Sequence, residues 1–247
     1  PIVITRGKGA VLWDDRGRSY LDANSSIWAN LHGHRNPAIN RAITRQLKKI
    51  AHSAALGLAN EPASLLAEQL IGATTRAGES GLAKVFFSDD GSTAMEVALK
   101  LSYEFWRRNG VREPQFLSLE RAYHGDTVGA VSLGHIDLFH KAYGGLLFET
   151  DSVMAPYCYR CPFNRAAPER ADARTYRKCN WECVGKVEEK FAVANRRGKR
   201  ITGFVVDPLI QGAAGMIPQP DGWISRVAQI ARNYRAHIIA DEVMTGF

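Results

Sequence analysis

Apolar residues along the first 80 positions form short runs between turns and then recur with helical spacing. The short runs predict strands at Ala10–Trp13 and Ser19–Leu21, on either side of a turn at Asp14–Gly17. Apolar residues three and four positions apart predict a helix over Pro37–Ala51. A second helix is predicted from Pro62, a residue favoured in a first turn, to about Ile71.

From residue 85 onwards, short apolar runs alternate with amphipathic stretches. The predicted strands are Val85–Phe87, Phe116–Leu119, Ile201–Val206 and His237–Ala240, and the predicted helices are Ser92–Trp106 and Gly222–Tyr234. Apolar strands that alternate with helices are typical of a mostly parallel sheet covered on both faces. The sequence therefore predicts an α/β fold. Residues 157–183 interrupt the pattern and are interpreted as an excursion from this core.

Composition narrows the class of protein. The chain has 247 residues, of which 45% are hydrophobic and 23% charged, and its formal net charge is +7. No apolar run approaches the ~20 residues of a membrane span, which excludes an integral membrane protein. The basic residues are dispersed, which argues against a nucleic-acid binder. Because the chain opens at Pro1 without a methionine and stops at Phe247, we interpret it as part of a longer protein that continues beyond both ends.

The turn Ser88–Thr93 is the first candidate site, because it lies between a predicted strand and the helix that follows. Ligands of α/β sheets gather beyond the carboxyl ends of strands. The N–H groups and hydroxyls of Gly91 and Ser92 at a helix N-terminus favour a phosphate group. The alternative is purely structural, since Thr93 and Glu96 have the spacing of a capping box.

Three further candidates follow predicted strands. Tyr123 and His124 could stack on and polarise a planar cofactor, or could simply form a packed loop. Asp241 follows the His237–Ala240 run and could hold a protonated heteroaromatic nitrogen, bind magnesium or cap a helix. Asp207 ends the Ile201–Val206 run in the same way, which places two carboxylates along one edge of the sheet.

The cysteines raise the question of a metal. Cys158-x-x-Cys161 is followed, after 17 residues, by Cys179-x-x-x-Cys183, a spacing close to that of zinc ribbons. The alternative is four reduced thiols in a surface loop, and the spacing does not decide between the two. His32 and His34 lack a third ligand nearby, so no metal site is assigned from sequence.

In this order, the motifs resemble the class III aminotransferases over essentially the whole chain. The resemblance is carried by Ser25-Ser-Ile-Trp28 through His34, by Ser88-Asp-Asp-Gly-Ser-Thr through Ala98, by Ala122-Tyr-His-Gly-Asp126, and by Ala240-Asp-Glu-Val-Met-Thr-Gly-Phe247. It implies a fold type I transferase that uses pyridoxal 5'-phosphate. It also implies an N-terminal small-domain segment at 1–60 and a cofactor-binding large domain at 61–247.

The resemblance assigns roles residue by residue. Gly91 and Ser92 match the turn that binds the cofactor phosphate, and Tyr123 matches the aromatic residue that stacks on the cofactor ring and borders the substrate pocket. Asp241 matches the partner of the pyridine nitrogen, and Val243 matches the apolar residue on the other face of the ring. His124 and Asp207 also belong to the cofactor site. Ile27 and Trp28 match a Ser-Ser-Trp-Trp wall of the substrate pocket. Asp207 stands where the family usually has Glu, so its contact is expected to be lost or mediated by water.

The implied reaction transfers an amino group to 8-amino-7-oxononanoate in biotin synthesis, in a cytoplasmic homodimer. The amino donor stays open, because Ile27 stands where many members have Trp. The lysine that forms a Schiff base with the cofactor is expected beyond the Asp-Glu-Val motif, and no lysine of this chain matches it. Alternatives are another ω-aminotransferase of the class, a non-catalytic fragment, or a zinc-stabilised nucleic-acid binder.

Overall fold

The computed structural model describes residues 1–78, 81–166, 172 and 174–246, apart from the side chain of Phe139. The chain divides into two units, Pro1–Phe86 and Phe87–Phe247. The predicted boundary between residues 60 and 61 falls inside the first unit. That boundary stays a prediction about the domains of the family fold.

The first unit combines a three-stranded antiparallel sheet with two long helices. Its elements are β1 (Ile4–Lys8), β2 (Val11–Asp14), β3 (Ser19–Leu21), the single turn α1 (Ser25–Trp28), α2 (Pro37–Lys49) and α3 (Glu61–Arg76). Asn36 and Asn60 cap α2 and α3 through their side-chain oxygens, and each helix has a proline in its first turn. Both predicted helices are confirmed, although α3 extends beyond Ile71.

The second unit contains the parallel sheet. Its elements are α4 (Gly91–Arg108), β4 (Pro114–Leu119), α5 (Val128–Ser132), α6 (Asp137–His140), β5 (Asp151–Val153), α7 (Glu182–Arg196), β6 (Arg200–Val206), β7 (Ile210–Gln211), β8 (Ile217–Pro218), α8 (Trp223–Asn233) and β9 (His237–Ala240). Short 3₁₀ helices lie at Lys141–Leu146 and Cys158–Arg160. Strands β5, β4, β6 and β9 form one sheet in that order, and every pair is parallel.

Helices cover both faces of this sheet. On one face Leu117 and Phe204 pack with Phe191 of α7 and Trp223 of α8. On the other face Phe116 of β4 and Val205 of β6 pack with Met95 and Leu99 of α4. The inner strands are therefore buried on both sides, which explains why β4 and β6 appear in the sequence as continuous apolar runs. The predicted α/β architecture is confirmed.

The strand predicted at Val85–Phe87 is wrong. Residues 82–88 have no regular secondary structure, and Phe86 and Phe87 are 70% and 46% exposed. An apolar run becomes a strand only where a neighbouring strand accepts and donates its backbone hydrogen bonds. The described part of the chain offers this run no such neighbour.

Residues 157–183, which we call the Cys-rich excursion, connect β5 to the start of α7. As predicted, this segment is largely irregular, with one 3₁₀ turn at Cys158–Arg160. Positions 167–171 and 173 lie outside the described residues. Helix α7 itself was not predicted, although Cys183, Val187, Phe191 and Ala194 form its buried face. Among the helices of the described ranges, none is long and apolar enough to cross a membrane.

A glycine in the middle of the sheet provides a test of this packing. Gly203 of β6 lies beside Phe116 of β4, and a Cβ atom on it would come within 2.7 Å of the Phe116 ring. We expect Gly203→Ala to lower the free energy of unfolding by about 1–3 kcal/mol through overpacking. The matched control is Gly185→Ala in α7, where a Cβ meets no atom within 4 Å and should raise it by about 0.5–1 kcal/mol. Denaturant titration measures both, and equal effects would contradict the assignment.

Candidate active site

Two carboxylates lie side by side where β6 and β9 end. Asp207 follows β6 and Asp241 follows β9, and the register of the two strands pairs Val206 with Ala240. The N–H of Asp241 donates to the Val206 carbonyl at 2.9 Å, so the ladder holds the backbone of both positions. The predicted juxtaposition of the two acids along one sheet edge is thus confirmed.

A buried histidine from the neighbouring strand joins this pair. His124 follows β4 and is 3% exposed, and its Nδ1 lies 2.7 Å from Asp241 Oδ2. Since an ionised carboxylate only accepts, Nδ1 carries the proton and donates it to Asp241. Asp207 Oδ1 lies 3.3 Å from the same nitrogen but makes no hydrogen bond. Asp207 therefore approaches the imidazole without forming a hydrogen bond to it, which agrees with the expectation that its shorter side chain loses this contact.

Burial controls the charge of Asp207. Removal from water raises the pKa of this carboxyl, the neighbouring His124 acts in the opposite direction and Asp241 adds to the rise, so that the pKa lies at about 6. Two carboxylates lie near one imidazole N–H, and its hydrogen bond goes to Asp241. Asp241 is left as the better placed anion of the pair.

The N-terminus of α4 has free hydrogen-bond donors. Asp90 accepts from the Thr93 N–H at 2.7 Å, and the Thr93 hydroxyl accepts from the Asp90 N–H at 3.0 Å. This reciprocal pair is the capping box, so the alternative box from Thr93 to Glu96 is wrong; Glu96 accepts instead from the Gly129 N–H at 2.7 Å. Within the described ranges no acceptor is recorded for the N–H groups of Gly91 and Ser92. They remain available to an anion at the positive end of an 18-residue helix.

Gly125 connects this helix end to the carboxylate pair. It adopts φ +123°, and a Cβ atom there would overlap the Ser92 side chain. The next residue, Asp126, donates its N–H to Ser92 Oγ at 3.2 Å. His124, Gly125 and Asp126 are consecutive residues. The first contacts Asp241 and the third contacts the Ser92 hydroxyl, so this tripeptide connects the two parts of the site.

Tyr123 precedes His124 and lies at the edge of the group formed by His124, Asp207 and Asp241, which we call the cluster. Two of the partners of Tyr123 were not predicted. Its hydroxyl donates to Asp126 Oδ2 at 2.8 Å, and its ring lies nearly parallel to that of His140, with centroids 6.2 Å apart. Asp126 lies three residues away in the same motif, so its closeness could have been noticed. His140 has no local signal, because its contact depends on how the chain returns after α5.

Val243 does not join the cluster. It is 68% exposed, in the turn closed by the Thr245 N–H to the Glu242 carbonyl at 3.1 Å. Its assignment to one face of the cofactor ring stays a prediction.

The predicted substrate wall lies in the first unit and has an unusual backbone. Ile27 and Trp28 have φ of 58° and 67°, in the left-handed region that is costly for branched and bulky residues. Asp22 holds this turn by accepting from the Ser26 N–H at 2.9 Å, and it is itself held by His34 Nε2 at 2.7 Å. These hydrogen bonds lower the pKa of Asp22. His34 therefore supports the turn, and Ile27 remains 70% exposed.

The residues of the second unit fit a pyridoxal phosphate molecule at both of its polar ends. The described hydrogen bonds engage only Oδ2 of Asp241, which leaves its second oxygen to accept from a protonated pyridine nitrogen. The N–H groups of Gly91 and Ser92 suit the phosphate, and a Cβ on Gly91 would meet no atom within 4 Å. The N–H groups can therefore bind the phosphate dianion of the cofactor, and the Asp241 carboxylate can bind its protonated ring nitrogen.

Comparison with known proteins supports the same interpretation. The family model for class III aminotransferases matches residues 1–247. The adenosylmethionine-8-amino-7-oxononanoate aminotransferase of Geobacter sulfurreducens is 43% identical over 248 residues, which is 100% of this chain and 51% of the relative. The enzyme of the same name from Aquifex aeolicus is 40% identical, again over 100% of this chain and 51% of the relative. The chain thus spans about half the length of these relatives.

Solved structures agree. The crystal structure of adenosylmethionine-8-amino-7-oxononanoate aminotransferase from Methanocaldococcus jannaschii superposes with a TM-score of 0.83 at 36% identity, covering 99% of this chain and 50% of that one. A PLP-bound amine transaminase from an uncultivated Pseudomonas species superposes with a TM-score of 0.83 at 29% identity, covering 99% and 52%. From the sheet edge, the helix N-terminus and these matches together, the chain belongs to the class III aminotransferase family.

Proposed function

We propose that the protein carrying this chain is a pyridoxal-phosphate-dependent aminotransferase that transfers an amino group to 8-amino-7-oxononanoate. The observation that carries the reaction class is the buried His124–Asp241 hydrogen bond beside the donor-rich N-terminus of α4. The acceptor is supported by the names of the relatives that are 40–43% identical over the whole chain. We further propose a cytoplasmic homodimer, as the family resemblance implies.

Each residue of the cluster has a defined task in this proposal. When bound, pyridoxal phosphate supplies an electron sink for the carbon that exchanges its amino group. Asp241 accepts the N–H of the pyridine ring, and its negative charge keeps that nitrogen protonated. His124 holds Asp241 in one orientation by donating from Nδ1. Gly91 and Ser92 bind the phosphate, and Tyr123 covers the ring and borders the substrate.

Ile27 and Trp28 suit the proposed acceptor. A nonanoate chain presents several methylene groups, and an exposed isoleucine beside an indole offers apolar surface for them. The left-handed turn holds the backbone of these two consecutive residues. The amino donor, adenosylmethionine or lysine, is a matter for assay.

A second candidate function is another ω-aminotransferase of the same family. The superposition with an amine transaminase at 29% identity favours keeping it, because the shared fold accommodates a different amine substrate. The two candidates share the cofactor site and differ only in the acceptor. Turnover of simple ketones with no turnover of 8-amino-7-oxononanoate would select the second.

The first experiment assays the complete protein with 8-amino-7-oxononanoate and each donor in turn, following formation of 7,8-diaminononanoate. We expect Asp241→Asn to lower kcat/KM by about 10- to 100-fold, because it removes a charge-assisted hydrogen bond worth about 1.5–3 kcal/mol. Asp221→Asn, an exposed carboxylate before α8, is the matched control and should retain activity. An Asp241→Asn variant as fast as the control would contradict the assigned role.

Asp207 generates a pH prediction for the cofactor-free protein. Its pKa of about 6 in the folded protein lies above the ordinary aspartate value of 3.8, so the folded state binds the proton more tightly. The stabilisation from this proton is complete below pH 3.8 and is lost as the pH rises through about 6, by ~3 kcal/mol at most. We expect Asp207→Asn to remove this loss, so that its free energy of unfolding relative to wild type rises between pH 4 and pH 7. If the free energies of unfolding of the two proteins change in parallel with pH, the pKa of Asp207 is not raised in the folded state.

A further inference from the structure

The Cys-rich excursion contains four thiols that the proposed reaction does not use. All four are free cysteines; Cys158 and Cys183 are buried, and Cys161 and Cys179 are half-buried. Burial, together with the charges that the other three thiols would carry, raises the pKa of Cys183 to about 12. Burial and the charges that Cys179 and Cys161 would carry raise the pKa of Cys158 to about 11, while Arg177 acts in the opposite direction. In the sequence, 25 positions separate the first of these cysteines from the last.

Asn164 brings the two halves of the excursion together. Its Nδ2 donates to the Cys158 carbonyl at 2.9 Å and to the Tyr176 carbonyl at 3.3 Å. Its Oδ1 accepts from the Lys178 N–H at 2.8 Å. One side chain thus ties the backbone of the first cysteine pair to the residues that precede Cys179. A loop that only connected β5 to α7 would not need such a cross-link.

The backbone bends tightly at both cysteine pairs. The 3₁₀ turn at Cys158–Arg160 ends with the Cys161 N–H donating to the Cys158 carbonyl at 3.4 Å, which places both side chains at one turn. On the other arm Trp181 adopts φ 64°, and this left-handed residue redirects the chain between Cys179 and the first turn of α7, where Cys183 lies. Each arm therefore carries its two cysteines on either side of a tight bend.

Arg177 places a positive charge beside one of the thiols. Arg177 Nη1 lies 3.6 Å from Cys179 Sγ and donates to the Cys179 carbonyl at 2.9 Å. The guanidinium of Arg177 also stacks on Trp181, 3.8 Å from the ring centroid. Five arginines and one lysine lie in residues 157–183 against three acidic residues. This excess suits a centre that is itself negative, as a metal dication held by four thiolates is.

We propose that the four cysteines of the excursion bind one zinc ion in a closed structural site. Four sulfur ligands in C-x₂-C and C-x₃-C pairs favour zinc, and a full thiolate shell leaves no open position for catalysis. Within the described residues no three of the sulfurs lie within 4.8 Å of one another. Zinc, with Zn–S bonds of about 2.3 Å, would draw them closer. Cys161 and Cys179, the half-buried pair, are the ligands with room to move.

Such a site would fasten the excursion to the sheet. Cys158 follows β5, and Cys183 belongs to the helix whose Val187 and Phe191 pack on the same core. An ion bound at both ends would close a long irregular loop over that core, independently of the cofactor. The zinc proposal and the proposed aminotransferase reaction can therefore succeed or fail separately.

The test measures the metal content of the complete protein, purified with reductant and dialysed against metal-free buffer. We expect about one zinc per chain, and release of that zinc by a mercurial reagent in step with titration of the four thiols. Cys161→Ser and Cys179→Ser should each reduce retained zinc by about tenfold or more. Tyr159→Phe, between the first two cysteines and 63% exposed, is the matched control and should keep it.

Cobalt substitution of the wild-type protein gives a second readout that does not depend on a variant folding. Tetrahedral coordination by four thiolates predicts visible absorption together with sulfur-to-cobalt charge-transfer bands. Less than about a tenth of a zinc per chain with four titratable free thiols would overturn the proposal. Disulfides in the purified protein, or iron in place of zinc, would overturn it as well.

Discussion

The hydrogen bond from His124 to Asp241 is the interaction on which the candidate site depends. It exists because β4, β6 and β9 are parallel neighbours, so that the residues following each strand emerge at one edge. The imidazole is fully buried, and a charge-assisted bond in such surroundings is stronger than one in water. It also consumes one oxygen of Asp241 and leaves the other for a ligand. The fold therefore prepares an oriented anion before any cofactor arrives.

The second carboxylate makes that bond necessary. Two acids at the ends of adjacent strands repel each other, and burial makes the negative charge of Asp207 costly. With one methylene fewer than glutamate, Asp207 reaches His124 at 3.3 Å without forming a hydrogen bond. The proton on Nδ1 consequently belongs to Asp241 alone. A longer side chain at position 207 could compete for it, so the shorter residue sharpens the difference between the two acids.

The sequence was sufficient to predict the elements whose apolar pattern reflects burial. It was insufficient where forming the element depends on a neighbouring strand or on the sheet. Strands β4 and β6 were predicted because both their faces are covered by apolar contacts. The Val85–Phe87 run has the same apolar character but no ladder neighbour among the described residues, and no pattern within the run can reveal that. Helix α7 was missed because a segment with little periodicity leads into it. Its buried face becomes meaningful only against the sheet.

The same distinction separates the parts of the site. Asp207, Asp241 and His124 each follow an apolar run, and parallel topology alone brings such positions together. The stacking of His140 on Tyr123 and the approach of Gly125 to Ser92 depend on three-dimensional paths that no spacing encodes. The turn at Ile27 and Trp28 is the clearest case, since neither residue favours a left-handed backbone. Asp22 and His34 hold it there, and strain maintained in this way is characteristic of positions that must present side chains to a ligand.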